Sequence, residues 1–188
     1  MSKSGNSITF GYNANGKRIS KTVNGTTYNY SYLGDQLTEM TWGSNKLHFT
    51  YDSLGPASVT YNGNRYFYLK NAQGDVTGLV NASGTMASTL GAANPLRYRG
   101  YVYDTETGLY YLSSRYYNPV WGRFINADTA DVLGASPDKA NWDKNLFAYC
   151  DNDPVNRKDD GGEFWHIIAA GAINNAVTQI HEKGSVRL

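Results

Sequence analysis

The sequence predicts a mainly β fold, an antiparallel meander of short strands with a short helix at its C-terminal end. Composition is the first reason. The 188 residues include 16 tyrosines, all between Tyr12 and Tyr149, and 20 glycines. Tyrosine suits a half-buried pleated surface on which its hydroxyl stays wet or bonded. Glycine between such runs supplies turns with positive φ. The second reason is a recurring turn pattern, an aromatic or aliphatic residue, Asp or Asn, two or three residues, then Gly. The third is alternation: Thr27-Tyr28-Asn29-Tyr30-Ser31-Tyr32 has the period of two expected of a strand with one buried face.

The turn pattern sets the element order. It reads Tyr12-Asn13-Ala14-Asn15-Gly16, Tyr51-Asp52-Ser53-Leu54-Gly55 and Val80-Asn81-Ala82-Ser83-Gly84. Looser copies are Asn71-Ala72-Gln73-Gly74, Tyr103-Asp104 to Gly108, and Tyr117-Asn118 to Gly122. An Asp or Asn side chain bonds its own backbone two residues on, and glycine closes the turn. Strands are expected over 27–32, 46–51, 58–61, 65–69 and 98–103, with Asn62-Gly63 as a two-residue hairpin. The Asx positions 13, 52, 71, 81, 104 and 118 are unevenly spaced, which excludes a propeller of equal blades and favours a sheet that winds onward. A polar stretch at 83–91 is expected to break that sheet.

Charge and cysteine exclude several classes. With 17 basic and 16 acidic residues and no run of one sign, nothing argues for an electrostatic grip on nucleic acid or a membrane surface. The single cysteine, Cys150, rules out an internal disulfide framework and reads as a small core residue. His48, His166 and His181 show no metal-ligand spacing, and no phosphate-binding loop or nucleophile elbow occurs, so no cofactor or metal is expected. The N-terminus lacks the apolar core of a secretory signal. The apolar segment 164–180 is interrupted by Asn174, Asn175 and Gln179 and is too short for a convincing membrane span. Phe164, Trp165, Ile168, Ala169, Ala172, Ile173, Ala176, Val177 and Ile180 instead form one helical stripe, with Glu163 and Lys183 suited to the helix dipole. It reads as a linker helix or as an amphipathic helix packed on the sheet.

The stretch 94–165 carries a specific resemblance. Its motifs are Arg97-Tyr98-Arg99-Gly100-Tyr101, then Tyr103-Asp104-Thr105-Glu106-Thr107-Gly108-Leu109-Tyr110-Tyr111, and Ser114-Arg115-Tyr116-Tyr117-Asn118-Pro119. Trp121-Gly122-Arg123-Phe124 and Asn145-Leu146-Phe147-Ala148-Tyr149 follow. This stretch resembles the Rhs repeat-associated core domain of bacterial Rhs (YD-repeat) proteins, as found in polymorphic toxins and Tc-toxin C components. Residues 8–86 resemble ordinary YD repeats more loosely. The resemblance implies a spiralling antiparallel sheet forming part of a hollow shell, a core domain that plugs one end, and a toxic C-terminal cargo inside. It divides the chain into a YD-repeat strip (1–93), the core domain (94–165) and a truncated linker helix toward a missing cargo domain (166–188). Partners implied are the cargo, an immunity protein and a secretion apparatus. Synthesis is expected in the cytoplasm, with export or surface display as part of a larger protein. Too few strands are present for this chain to close a shell alone, so open sheet edges and self-association through them are expected.

The resemblance also implies an aspartate-based self-cleavage marked by two Asp-Pro-x-Gly motifs. Asp128 matches the first aspartate, with Thr129 in place of proline. Asp159 matches the second, with Asp160 in the proline position and Gly162 as the motif glycine. Asp143 is a weaker third carboxylate, and 131–144 reads as an insertion. Motif position places the cut in the region Gly162, Glu163, Phe164, Trp165. Physically, two carboxylates sharing one site keep one proton between them, so one acts as acid while the other activates water. The same aspartates also suit plain turns beside Asn and Gly. Arg115 and Arg123 are candidates to pair with carboxylates or to lie at the surface, and Asp131, Asp138, Asp151 and Asp153 read as solvated loop charges. Three functions follow: a structural fragment of a toxin shell, an aspartic autoprotease that cuts itself near 162–165, and, remotely, a carbohydrate- or surface-binding β module.

Overall fold

The computed structural model describes residues 2–3, 5–87, 90–128, 145–159, 161–162 and 165–167. Nine strands form one antiparallel sheet in strict chain order. They are β1 (Ser2–Lys3), β2 (Asn6–Tyr12), β3 (Arg18–Val23), β4 (Thr26–Leu33), β5 (Gln36–Trp42), β6 (Asn45–Asp52), β7 (Gly55–Tyr61), β8 (Asn64–Lys70) and β9 (Val76–Asn81). The mainly β reading is therefore met by a meander without crossovers.

The two ends of this sheet are built differently. At one end the hairpins close with two residues, because Val23 pairs with Thr26, Trp42 with Asn45 and Tyr61 with Asn64. In the last of these Asn62 and Gly63 both take positive φ, +46° and +89°, as the mirror-image hairpin turn demands. At the other end the connections are the Asx-Gly turns. Asn13 Oδ1 accepts the amides of Asn15 and Lys17 at 3.0 and 2.9 Å, and Asn71 and Asn81 repeat that arrangement. Bulges precede the connections at this end, at Gly11/Tyr12, Ser31/Tyr32, Thr50/Tyr51 and Leu69/Lys70; the one after Ser31/Tyr32 is a two-residue turn, with Leu33 paired to Gln36. A bulge adds twist and bends its strand. The four bulges all lie toward the same end of the sheet.

One face of the sheet buries Tyr30, Leu37, Met40, Leu47, Phe49, Val59, Tyr68 and Leu79. A fully buried Leu or Phe contributes about 1.5–3 kcal/mol, so this row is the main source of stability for the strip. The chain then turns back over it. Ala87 N donates to Leu79 O at 2.8 Å and Met86 bridges Val80, which covers the outer edge of β9. The sheet stops there, as the polar stretch predicted. Helix α1 (Leu90–Ala93) and Leu96 drop apolar side chains onto the same face.

A second sheet of four strands follows, β10 (Val102–Asp104), β11 (Leu109–Leu112), β12 (Arg115–Asn118) and β13 (Arg123–Phe124), then a two-stranded pair, β14 (Arg157–Asp159) and β15 (Trp165–Ile167). Its own core joins Tyr101, Leu112, Tyr117, Phe124, Tyr149 and Cys150. Two expectations need correction. The strand predicted over 98–103 is a tight turn at Tyr98–Gly100 followed by β10, because Arg99 adopts φ +55° to bond Gln73 O and Pro154 O with its guanidinium. The helix predicted from 164 onward does not include Trp165–Ile167, which pair with Arg157–Asp159 as strand. Cross-strand hydrogen bonds to β14 win there over helical periodicity. Residues 168–180 of the predicted helix lie outside the described residues.

One buried cluster fastens the two sheets together. Arg18, on β3, is fully buried and its Nη1 bonds Asp104 Oδ2. Lys21, also on β3, reaches Asp104 Oδ1 at 3.1 Å and Glu106 Oε2 at 2.8 Å. The Arg18 guanidinium lies 4.4 to 5.8 Å from the rings of Tyr111, Tyr30, Phe10 and Tyr116. Burial alone would depress the Arg18 pKa, but Asp104 together with Tyr30 and Tyr116 outweighs it and the guanidinium stays charged. Asp104 was expected as a turn former. Its carbonyl does close the turn to Gly108, while its side chain points inward as the counter-ion of two cations.

Candidate active site

Three segments distant in sequence converge on Arg115, the first residue of β12. Its Nη2 lies 2.9 Å from Asp128 Oδ2 and 3.4 Å from Asp159 Oδ2. Its Nη1 donates to Leu146 O at 3.0 Å and its Nε to Gly162 O. The guanidinium rests on the face of Phe124, 3.6 Å from the ring centroid. Packing on an aromatic face and a planar fork of donors are what arginine offers and lysine does not. All three charged side chains are nearly closed to solvent, at 6%, 9% and 3% exposure for Arg115, Asp128 and Asp159. The two carboxylates singled out in the sequence therefore meet, on one nitrogen of one arginine.

Each carboxylate is positioned by backbone. Asp128 is held by its own amide, which donates to Leu146 O at 3.0 Å. Asp159 ends β14 and caps the turn after it, with Oδ1 accepting Gly161 N at 3.2 Å and Gly162 N at 2.6 Å. Its carbonyl accepts the Tyr101 hydroxyl at 2.5 Å, and Tyr101 in turn meets the Tyr149 hydroxyl at 2.9 Å. Gly162 has φ +79°, and a Cβ there would stand 2.5 Å from Leu112 O and 2.7 Å from Ser114 Oγ. No other residue fits that approach.

Burial pushes the Asp159 carboxyl above the ordinary aspartate range, and Asp128 adds to this. The Gly162 and Gly161 amides and Arg115 pull the other way without cancelling it. The native state thus holds the Asp159 proton more tightly than the unfolded chain does. The stability this confers is complete below the unfolded pKa and is lost as pH rises through the raised native value. Asparagine, uncharged at every pH, keeps an oxygen for the two glycine amides and gives up only the longer, 3.4 Å contact of Oδ2 with Arg115 Nη2. Asp159→Asn is therefore expected to melt at neutral pH no lower than the wild-type chain; a lower midpoint by thermal denaturation would contradict this raised carboxyl.

The remaining candidates separate. Glu163, Phe164, Asp160 and Asp143 lie outside the described residues, as does the insertion at 131–144, and of Trp165 only its strand pairing is described. Arg123 is exposed, and Asp151 and Asp153 bond Arg157 at the surface of the site's flank. Cys150 is buried among aromatic rings, and burial pushes its thiol up to about 11, far from a thiolate nucleophile. Among the described residues no group of His, Cys, Asp or Glu could hold a metal ion, and no helix is long and apolar enough to cross a membrane. A cleft of about 860 Å³ opens between the two sheets, lined by Tyr32, Tyr51, Arg99, Tyr101, Leu112 and Lys158 among others, and excludes both carboxylates. Sequence reasoning missed Ser114, Tyr101 and Tyr149; the polar pair Ser113-Ser114 between strand-like runs was the available signal.

The chain is thus an antiparallel β meander that carries a second β-sheet and a buried carboxylate pair. Known proteins share this fold. No family model matches the chain. It is 40% identical over 185 residues to the tRNA3(Ser)-specific nuclease WapA of Bacillus spizizenii and 38% identical over 185 residues to the tRNA nuclease WapA of Bacillus subtilis. Each match covers 87% of this chain and 8% of the relative, so the chain spans a small part of those proteins. Over 80 residues, 43% of this chain and 6% of the relative, it is 36% identical to the toxin protein Tse5 of Pseudomonas aeruginosa. Among solved structures, TcdB2-TccC3-Cdc42 matches 83% of this chain and 9% of that chain with a TM-score of 0.61 at 19% identity. The Photorhabdus luminescens Tc holotoxin pore matches 88% and 10% with a TM-score of 0.52 at 18% identity, and both show a shared fold. The chain is an Rhs-associated domain of the polymorphic-toxin type.

Proposed function

We propose that this chain is a wall-and-plug segment of an Rhs shell, structural in role, that helps enclose a toxic domain lying further along the polypeptide. The observation that carries this reading is the nine-stranded meander with one apolar face, fastened to a second sheet by a buried ion cluster. Such a strip adds area to a wall strand by strand, and its Asx-Gly turns are the YD repeats of the sequence. The strip has little else to do chemically. The reading predicts that the chain expressed by itself leaves bacterial growth unchanged. It also predicts that a domain following it in the full-length protein resists added protease until the wall is unfolded. Growth arrest by the chain alone, or ready digestion of that domain, would count against it.

The convergence at Arg115 favours a second, compatible activity, self-cleavage near 162–165. In this step the Asp128 carboxylate takes a proton from water, and the water oxygen bonds to a peptide carbonyl carbon. Asp159, whose carboxyl burial helps to keep protonated, gives its proton to the departing nitrogen as the C–N bond breaks. The products are a new carboxyl terminus and a new amine, with the proton balance closed between the two aspartates. Arg115 offsets the negative charge that builds on the carbonyl oxygen. Asp128→Asn and Asp159→Asn are each expected to leave the chain whole by intact mass, where the unaltered chain is cut; a cut that persists in both variants rules these residues out.

A further inference from the structure

The hairpin joining β11 to β12 turns through Ser113 and Ser114 alone, because Leu112 pairs directly with Arg115. Ser113 holds φ +52°, a left-handed conformation that serine rarely adopts and that clusters at working sites. Its carbonyl accepts the Tyr111 hydroxyl, and that same hydroxyl accepts the Arg18 amide at 2.8 Å. The hairpin tip is thereby tied to the ion cluster that fastens the sheets. Bent this way, it turns the Ser114 hydroxyl out of the hairpin onto Gly161 O at 2.8 Å, while Ser114 N is shared between Leu112 O inside the hairpin at 2.5 Å and Gly161 O at 3.3 Å.

The adjacent residue does the same for the adjacent carbonyl, since Arg115 Nε donates to Gly162 O. Two successive carbonyls are thus held by two successive residues from a segment 47 positions away in the chain. The turn after Asp159 does not need this for its own closure, because Asp159 Oδ1 already accepts both glycine amides. Ser114 is exposed, so its hydroxyl contributes little to the buried core. What it fixes is the carbonyl side of the stretch that leads into 162–165.

We propose that Ser114 is a positioning residue for the self-cleavage. By pinning Gly161 O it keeps the Gly162 carbonyl on Arg115, the side chain that also holds Asp128 and Asp159. This rests on the self-cleavage reading above. The test follows the fraction of cut chain over time by intact mass, from pH 4 to pH 8 (roughly the span of carboxylate titration and beyond), for four chains: unaltered, Ser114→Ala, Ser114→Thr and Asp159→Asn. Ser114→Ala is expected to cut roughly fivefold more slowly, the effect of one hydrogen bond, with the same pH dependence and an unchanged melting midpoint. Ser114→Thr, which keeps the hydroxyl, is expected to cut within about twofold of the unaltered chain. If Ser114→Ala cuts at the unaltered rate while Asp159→Asn stays whole, the positioning role is overturned and self-cleavage stands. A threonine variant as slow as alanine, or a shifted pH profile, also overturns it. If the unaltered chain is never cut, both fall together.

Discussion

Asp104→Ala is expected to cost about 3–5 kcal/mol and to separate the two sheets, the penalty of leaving buried cations without their partner. Arg18 has no exposure and Lys21 very little, and Asp104 is the carboxylate they share. Glu106 reaches Lys21 but no bond from it to Arg18 is seen, so it cannot replace what is lost. Two Arg18 nitrogens, Nε and Nη2, already lack a hydrogen-bond partner, which leaves the guanidinium little reserve. Domains of this size are commonly stable by only about 5–15 kcal/mol, so most of the margin would go. Denaturant unfolding is the measurement, and the deficit should persist in high salt because the cluster is closed to ions. Exchanging both partners for apolar residues, Arg18→Met with Asp104→Leu, is expected to recover much of the loss. A single variant within 1 kcal/mol of the unaltered chain, roughly the worth of a surface pair, would show that the cluster does not fasten the sheets.

The second large effect is expected at Arg115. Arg115→Met removes the cation that bridges Asp128 and Asp159 among the described residues, and takes away the Arg115 donors to Gly162 O and Leu146 O. Breaking such a buried arrangement costs about 3–5 kcal/mol at neutral pH. Here the loss should depend on pH in a definite direction. Without the guanidinium the two carboxylates repel, and the native state takes up a proton to relieve it. A carboxyl raised in the native state gives stability at low pH that disappears as pH rises through its native value. The deficit of Arg115→Met should therefore be smallest in mild acid and grow toward neutrality. Arg115→Lys is expected to recover only part, because a single ammonium cannot serve both carboxylates and both carbonyls. A deficit that is the same at every pH would mean that the carboxylates do not face one another.

The alternation of Thr27-Tyr28-Asn29-Tyr30-Ser31-Tyr32 announced which face of β4 is buried, and Tyr30 is indeed closed off while Asn29 and Ser31 are exposed. Turns were equally legible, because an Asx side chain bonding its own backbone is a local event that neighbours do not overrule. Where a residue answers to a distant partner, local reading stops. Arg99 looked like a strand residue and adopts a left-handed turn to reach Gln73 and Pro154. Asp104 looked like one more turn former, and only the return of the chain over β3 makes it a counter-ion for Arg18. The carboxylates show both sides. Asp128 and Asp159 were recognisable from their motifs, but their meeting depends on Arg115, whose charge had two equally good destinations in the sequence. Ser114 had no signal of its own beyond sitting at a hairpin tip.

The joining of Asp128 and Asp159 into one working site is tested most directly by the mass of the purified chain itself, held at about pH 5 and about pH 7, either side of the range in which buried carboxyls commonly titrate. The expected result is a gradual shift to a shorter N-terminal piece ending between Gly162 and Phe164, faster in the mild acid because burial raises the Asp159 carboxyl and acid favours its protonated form. A chain that remains whole at both values for as long as it stays folded would contradict it.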